Sequence, residues 1–331
     1  MAVYNEPISQ LSQSVLSIQN QTYKNFEFII ICDNPQREDL LVFLQSLKSD
    51  KRIRIEINDS NIGLTKSLNN GIRLAKGDYI VRMDADDISY ADRIDTQIKF
   101  MEANQRILAS GSWVRFIDDN NNPRGEYRIQ CKSSLIEEDL FFDTVICHPS
   151  AIFRRIINNR LVQYDESIRY AQDYALWEYI QRYGALANVP KVLLDYRISQ
   201  RQISNAKIDE QRLCAQRTRE RVFTNRGFIV NEEFINIFSQ LYTKQPCKFS
   251  KEEVRLIFSS FLTQNKKKIK SFRLLSLFCF LFIESYDKEK GLFLKQKDLF
   301  LLVKFSVHKM IALQLVLLGK TFTHVLTKSA V

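Results

Sequence analysis

Gly77-Asp-Tyr-Ile-Val-Arg-Met-Asp-Ala-Asp-Asp87 is the stretch on which the reading of this chain turns. A Gly-Asp turn opens it, the run Tyr79 to Met83 is largely apolar, and three carboxylates close it: Asp84, Asp86 and Asp87. A short apolar run bounded by turn residues reads as a buried strand. Open α/β sheets bind ligands at the carboxyl ends of their strands, which is where these acids fall. On extended chain Asp84 and Asp86 point the same way, and like charges that close repel unless a cation sits between them. Hard oxygen donors suit Mg²⁺ or Mn²⁺, and such a metal usually also holds substrate phosphates. Taken alone, the triplet reads equally as a solvated acidic turn.

Toward the N-terminus, strand and helix alternate. Met1 to Tyr4 reads as the end of a strand without its apolar lead-in, followed by a turn at Asn5-Glu6-Pro7. Pro7 suits the first turn of a helix whose Ile8, Leu11, Val15 and Ile18 repeat at threes and fours, ending near Gln21-Thr22. Phe26 to Cys32 reads as a strand closed by Asp33-Asn34-Pro35, and Leu40, Leu41, Phe43, Leu44 and Leu47 mark a helix. Arg52 to Ile57 alternates as a strand, and Asn61 is expected to cap a helix lined by Leu64, Leu68, Ile72 and Ala75. Three such alternations predict an α/β domain, a mostly parallel sheet with helices on both faces. No Gly-x-Gly-x-x-Gly and no Gly-Lys-Ser/Thr occurs, so phosphates would be held through metal rather than a glycine cradle.

Toward the C-terminus the pattern predicts a helix over 92–104, a strand over 107–117, a loop over 118–123, a helix over 131–146 and a short strand after a turn at 148–154. A helix follows through Leu176, Trp177 and Ile180, then a strand over 185–196. Asp173 falls near the start of that helix, where a carboxylate gains about half a kcal/mol.

The 331 residues are 45% hydrophobic and 26% charged, a globular composition. Six scattered cysteines without Cys-x-x-Cys, and three histidines, exclude a zinc or disulfide framework. No signal-peptide pattern is present, so a cytosolic setting is expected. The net charge of +10 is uneven: residues 241–331 hold 17 Lys/Arg against 6 Asp/Glu, the rest 31 against 32. The expected organisation is a catalytic domain over 1–204, a helical linker over 205–240 and a basic, apolar helical tail over 241–331. Lys266-Lys-Lys-Ile-Lys270 precedes the apolar run Phe272 to Ile283, an interfacial pattern that fits an anionic membrane surface. That run is too short to span a bilayer. Leu299 to Leu318 is longer but broken by Lys304, His308, Lys309 and Gln314. The alternative is that both segments pack on the rest of the chain or on a partner subunit. Nucleic acid fits poorly, because the basic residues come with long Leu/Phe runs.

One series of motifs runs through the first two thirds in order: Tyr4-Asn5-Glu6, Gln21-Thr22-Tyr23, Asn61-x-Gly63, Asn69-x-Gly71, Gly77-Asp78-Tyr79-Ile80, Asp84-Ala-Asp-Asp87, Asp92-Arg93, His148-Pro-Ser150 and Gln172-Asp173-Tyr174. It resembles the family 2 glycosyltransferases of the GT-A fold over about residues 1–204. The resemblance implies an inverting, metal-dependent transfer from a UDP-sugar donor. It implies that Val3, Tyr4 and Asp33 hold uracil and ribose, and that Glu6, Asn61 and Arg93 belong to donor-binding motifs. Asp84 and Asp86 would hold ribose and the Mn²⁺ or Mg²⁺ that bridges the diphosphate, and Asp173 would be the general base. Simpler roles stand beside these: Asp33 as a turn residue, Asp173 as a helix-end charge, His148 as structural, Arg93 as a surface partner of Asp92 or Asp95, Trp177 as core, Asp87 as a support or cap.

The chain departs from the family pattern at Cys32-Asp33, where two acids are usual, at Gln172, where relatives carry Glu, and at Ser199, where relatives often carry a histidine that can approach the metal. No Gln-x-x-Arg-Trp occurs, so addition of a single sugar is expected. The expected reaction adds one hexose, glucose or galactose, in β linkage to an N-acetylhexosamine on a lipid, undecaprenyl diphosphate. Its expected setting is O-antigen or capsule assembly, at the cytoplasmic face of the bacterial inner membrane. Two rival readings are an Asp-nucleophile phosphotransferase, since Asp84-Ala-Asp-Asp-Ile88 nearly fits Asp-x-Asp-x-Thr/Val, and a non-catalytic nucleotide-sugar-binding protein. The first fits badly because its motif follows a first strand, not a fourth.

Overall fold

The computed structural model describes residues 1–198, 208–243, 245, 249–269, 271, 273–278 and 281. Strand β1 (Ala2–Val3) lies parallel to β2 (Phe28–Cys32), which lies parallel to β3 (Ile53–Ile57). The connecting helices are α1 (Ile8–Gln19), α2 (Glu38–Ser46) and, after β3, α3 (Leu64–Leu74). The helical repeats bury Leu11, Val15, Ile18, Leu40 and Leu44 in one core with Val3, Phe28 and Ile30. Met83 and Ala85 of the acidic stretch belong to the same core.

A second sheet has the order β4 (Tyr79–Val81), β8 (Ile152–Arg154), β6 (Ile107–Ile117), β11 (Ala185–Arg197), β5 (Ile88–Ser89), with β7 (Pro123–Tyr127) alongside the far half of β6. In it β6 and β11 pair in parallel and the other pairings are antiparallel. The expected mostly parallel sheet is therefore corrected to a parallel three-strand sheet plus a mixed one. A strand that returns through a short loop, as β7 does after β6, has to run antiparallel. Helices α4 (Arg93–Ala103) and α6 (Gln172–Gln181) pack on β6 and β11, and α5 (Ser133–Asp139) packs on β11. Asn158 and Asn159, at φ 50° and 58°, turn the hairpin of β9 (Ile156–Ile157) and β10 (Arg160–Leu161).

Local expectations needed four corrections. Pro7 is the N-cap of α1 rather than part of its first turn. Gly63 at φ 88°, not Asn61, is the N-cap of α3; Asn61 Oδ1 instead accepts the Gly63 N–H at 3.0 Å. The helix expected over 131–146 covers Ser133–Asp139 alone. The loop expected over 118–123 stops one residue earlier, since β7 begins at Pro123.

Buried polar side chains fasten these elements. Gln21 is fully buried; its Nε2 donates to Ser17 O, Ser89 Oγ and Tyr90 O, and its Oε1 accepts the Ile94 N–H. It thereby ties the end of α1 to β5 and the start of α4. Asn69 on α3 clasps the backbone of Tyr164, accepting from its N–H at 2.8 Å and donating to its carbonyl at 3.0 Å.

By its contacts the chain divides into two compact units, Met1–Arg219 and Glu220–Val331. Helix α7 (Ile208–Asn225) crosses that joint. In the second unit α8 (Glu232–Tyr242) starts at Asn231, whose side chain accepts the Phe234 N–H, and α9 (Lys251–Asn265) starts at a reciprocal Ser250–Glu253 capping box. Phe223 sits among the rings of Phe228, Phe234, Phe238, Phe261 and Phe278. Ser199 and most of the expected interfacial tail, 282–331, lie outside the described residues. Among those described, no helix is long and apolar enough to cross a membrane.

Gln21→Ala should cost about 1–3 kcal/mol, because it leaves the Ile94 N–H without its partner and removes the tie to Ser17 and Ser89. The measurement is the urea midpoint by tryptophan fluorescence, since Trp113 and Trp177 both lie in the first unit. An unchanged midpoint would contradict the staple.

Candidate active site

The apolar run of β4 is followed by an arginine, and that arginine organises the site. The Arg82 guanidinium is buried and pairs with the Asp84 carboxylate. Burial opposes its charge, but Asp84, then Tyr164 and Asp87, outweigh burial and hold its pKa above the ordinary arginine value. Beneath it lies Arg93, fully buried, donating to Arg82 O at 2.7 Å, to Gln97 Oε1 at 3.1 Å and to Met83 Sδ at 3.4 Å. Burial lowers its pKa to about 10, with Asp87 opposing. Arg93 is thus neither a surface partner of Asp92 nor a group facing a donor; it props the acidic turn from below. Asp92 pairs with Lys191 instead.

Strand β4 ends at Val81, so alternation along an extended chain does not set the directions of Asp84 and Asp86. A stapled turn sets them. Ser14 Oγ donates to Asp84 O at 2.9 Å, and Arg197 Nε donates to Asp86 O at 2.8 Å. The Arg197 N–H reaches Asp87 Oδ1 at 2.8 Å, while its other guanidinium nitrogens hold Asp118 O and Asn121 Oδ1. Asp87 Oδ2 is buried without a hydrogen-bond partner. Asp87 is therefore a support, not a cap. Burial, then the charges of Asp84 and Glu6, push the Asp86 carboxyl up to about 7. Burial, then Asp84 and Asp86, push Asp87 well above the carboxylate range.

The N-terminal residues form the other wall. Val3 O accepts the Asp33 N–H at 2.8 Å. Asp33 Oδ1 takes the Asn58 amide and the Ile62 N–H, and Oδ2 takes the Gly63 N–H, so its carboxylate fastens the loop that carries Asn61. Glu6 accepts the Tyr4 N–H at 2.8 Å; burial raises its pKa against that bond. Tyr4 is exposed and Val3 buried.

Asp173 stands in the first turn of α6, after Ala171, whose φ of 55° is strained for a residue with a Cβ. Thr144 Oγ1 donates to Asp173 Oδ2 at 3.2 Å. Burial raises the Asp173 pKa; the Tyr174 N–H and Thr144 oppose, Asp143 adds, and Arg82 opposes. Arg82 is therefore common ground between Asp173 and the pair Asp84–Asp86. His148 shares a 2.7 Å hydrogen bond with the Tyr164 hydroxyl, and burial, then Arg82, keep its pKa well below the ordinary value. Trp177 is fully buried, edge-on to His148 and Phe153.

Sequence reasoning missed Arg82, Arg197 and Tyr164. A signal existed for Arg82, since a charged residue inside an apolar run is rarely buried without a partner. The acids suit a divalent ion by chemistry: Asp84 and Asp86 are hard oxygen donors, and burial, then the Asp84 charge, disfavour the ionised form of Asp86. No group of three His, Cys, Asp or Glu among the described residues forms a complete metal cage. Substrate phosphates and water would complete the ligand set.

A family model, Glycosyl transferase family 2, matches residues 1–162. An uncharacterized glycosyltransferase of Methanocaldococcus jannaschii is 35% identical over 242 residues, 71% of this chain and 81% of that one. An uncharacterized glycosyltransferase of Haemophilus influenzae is 30% identical over 274 residues, 79% and 84% of the two chains. The amylovoran biosynthesis glycosyltransferase AmsE of Erwinia amylovora is 28% identical over 199 residues, 60% and 74%. Among solved structures, S. aureus TarS 1–349 in complex with UDP-GlcNAc gives a TM-score of 0.54 at 12% identity, covering 86% of this chain and 82% of that one. The mannosyltransferase PcManGT of Pyrobaculum calidifontis, in complex with GDP-Man and Mn²⁺, gives 0.52 at 12%, covering 88% and 86%. These likenesses establish the GT-A architecture.

In chelator, Asp86→Asn should be more stable than wild type, and its advantage should grow as pH rises from about 4 to about 7. Folded Asp86 keeps its proton to about 7 whereas the ordinary value is 3.8, so wild type loses stability across that window and the amide does not. Urea midpoints at several pH values measure it; a pH-independent difference would show that Asp86 is not crowded.

Proposed function

The chain belongs to glycosyl transferase family 2, and on that premise we propose that it moves one hexose, glucose or galactose, from a UDP-sugar to a lipid-linked acceptor. The acceptor is an N-acetylhexosamine on undecaprenyl diphosphate, and the product linkage is β. The observation that supports this reading is the acidic turn, where buried Arg82 pairs with Asp84 while Ser14 and Arg197 hold the backbone of Asp84 and Asp86. An in-line displacement needs a proton acceptor and a group that handles the leaving diphosphate within reach of each other.

Asp173 takes the proton of the attacking hydroxyl. Its raised pKa brings it nearer neutrality, which suits a general base. Asp84 and Asp86 would hold Mn²⁺ or Mg²⁺, which when bound supplies charge neutralisation for the departing nucleoside diphosphate. Val3 and Tyr4 present backbone to uracil and ribose. Asp33 Oδ2 accepts one N–H from the chain, which leaves capacity for one further donor there. UDP is favoured as the nucleotide by the TarS complex and GDP by the PcManGT complex, so a donor panel decides. The AmsE match supports a role in surface-polysaccharide assembly. The basic tail supports a peripheral position on anionic lipid at the cytoplasmic face of the inner membrane.

A panel of UDP- and GDP-sugars with a synthetic lipid-diphosphate acceptor should give acceptor-dependent UDP release. Release of inorganic phosphate instead would overturn the reading. Asp173→Asn should keep UDP affinity and lose transfer by roughly 10²–10⁴-fold, and Asp86→Ala should abolish metal-dependent turnover. The full-length protein should co-sediment with phosphatidylglycerol vesicles and detach as salt rises; binding indifferent to salt would rule out the electrostatic anchor.

A further inference from the structure

An aromatic row leads away from the acidic turn. Phe116 and Tyr196 pack on the core that contains Met83 and Ala85, with their ring centroids 5.8 Å apart and edge to face. Tyr127 extends the row, stacked on Phe116 at 6.1 Å with an interplanar angle of 20°. The sequence of β7 explains the stack. Gly125 is the residue opposite Phe116 on the ladder; its φ is 116° and a Cβ there would meet nothing within 4 Å. Tyr127, opposite Val114, lies across Phe116 as its diagonal neighbour on the ladder. Phe116 covers one face of Tyr127, and 45% of the residue remains exposed.

The surroundings narrow what this ring can hold. Burial raises the Tyr127 phenol pKa, and the charges of Cys147, Asp143 and Asp139 act in the same direction. Asp143 acts likewise on Asp173. The exposed ring thus stands at the end of a row of rings that starts on the core of the acidic turn, with acidic groups around it. A diphosphate would be repelled there. A pyranose is not: its C–H face lies on an aromatic ring while carboxylates accept its hydroxyls.

We infer that Tyr127 is the platform for the acceptor's sugar ring and helps set acceptor specificity, an inference that rests on the transferase reading above. The test uses full-length protein with UDP and Mg²⁺. The probe is N-acetylglucosaminyl diphosphate on a short alkyl chain, with free N-acetylglucosamine as a second arm, followed by saturation-transfer NMR. Tyr127→Ala and Tyr127→Leu should each weaken binding of the probe about tenfold, Tyr127→Phe should bind as wild type, and UDP affinity should hold in all three. Leu preserves apolar cover on Phe116, so a loss shared by Ala and Leu is not collapse of the hairpin. Unchanged probe binding in both variants, an equal loss of UDP, or saturation confined to the alkyl chain overturns the platform. If the sugar binds as expected but no nucleotide sugar is turned over, the transferase reading fails and the platform stands.

Discussion

A buried guanidinium facing a carboxylate, Arg82 against Asp84, is the contact on which this site depends. Three aspartates within four residues, partly or wholly out of water, cannot all ionise without positive charge nearby. Arg82 supplies it from inside the domain, and Arg93 props the backbone beneath. The remaining deficit shows in Asp86 and Asp87, both held toward the neutral form by burial and by their neighbours. Asp84 and Asp86 are hard oxygen donors, the kind that would suit a divalent ion accompanied by phosphate oxygens.

The turn that presents these acids has little regular structure of its own. It is held by side chains from elements far apart in the chain: Ser14 from α1, Arg197 from the end of β11, and Gln21 bracing the segment just beyond. Asp33 does the same for the loop before α3, where two N–H groups and the Asn58 amide converge on it. Such buried networks are stable only when nearly complete. The strained backbone at Ala171, just before Asp173, shows the same trade: an unfavourable local conformation kept because packing fixes where the Asp173 carboxylate, the proposed base, stands.

The two ends of the site differ in character. The donor side is built from backbone and carboxylates on β1, β2 and the acidic turn. The proposed acceptor side is built from aromatic rings on β6, β7 and β11. A ligand with a charged diphosphate and one with an uncharged ring therefore meet surfaces suited to each.

Much was legible in the sequence. The periods of α1 to α3 and the apolar runs of β2 and β3 located the parallel sheet, because burial of a repeating face needs no distant partner to be recognised. The acids at 84, 86, 87 and 173 stood out for their spacing and context. Other features could not be read there. Arg93 looked like a surface charge and proved a fully buried prop; Asn61 looked like a helix cap and proved a turn residue before Gly63. Arg82 was marked only as a charge inside an apolar run, and Arg197, Tyr164 and Tyr127 carried no local mark of their roles. Local sequence determines which faces are apolar and where the chain turns. Which backbone groups hold the acidic turn, and which charges end up buried together, is decided by residues far apart in the chain meeting in space, as Ser14 and Arg197 do at Asp84 and Asp86, and the dielectric and hydrogen-bond terms that set their behaviour exist only once they have met.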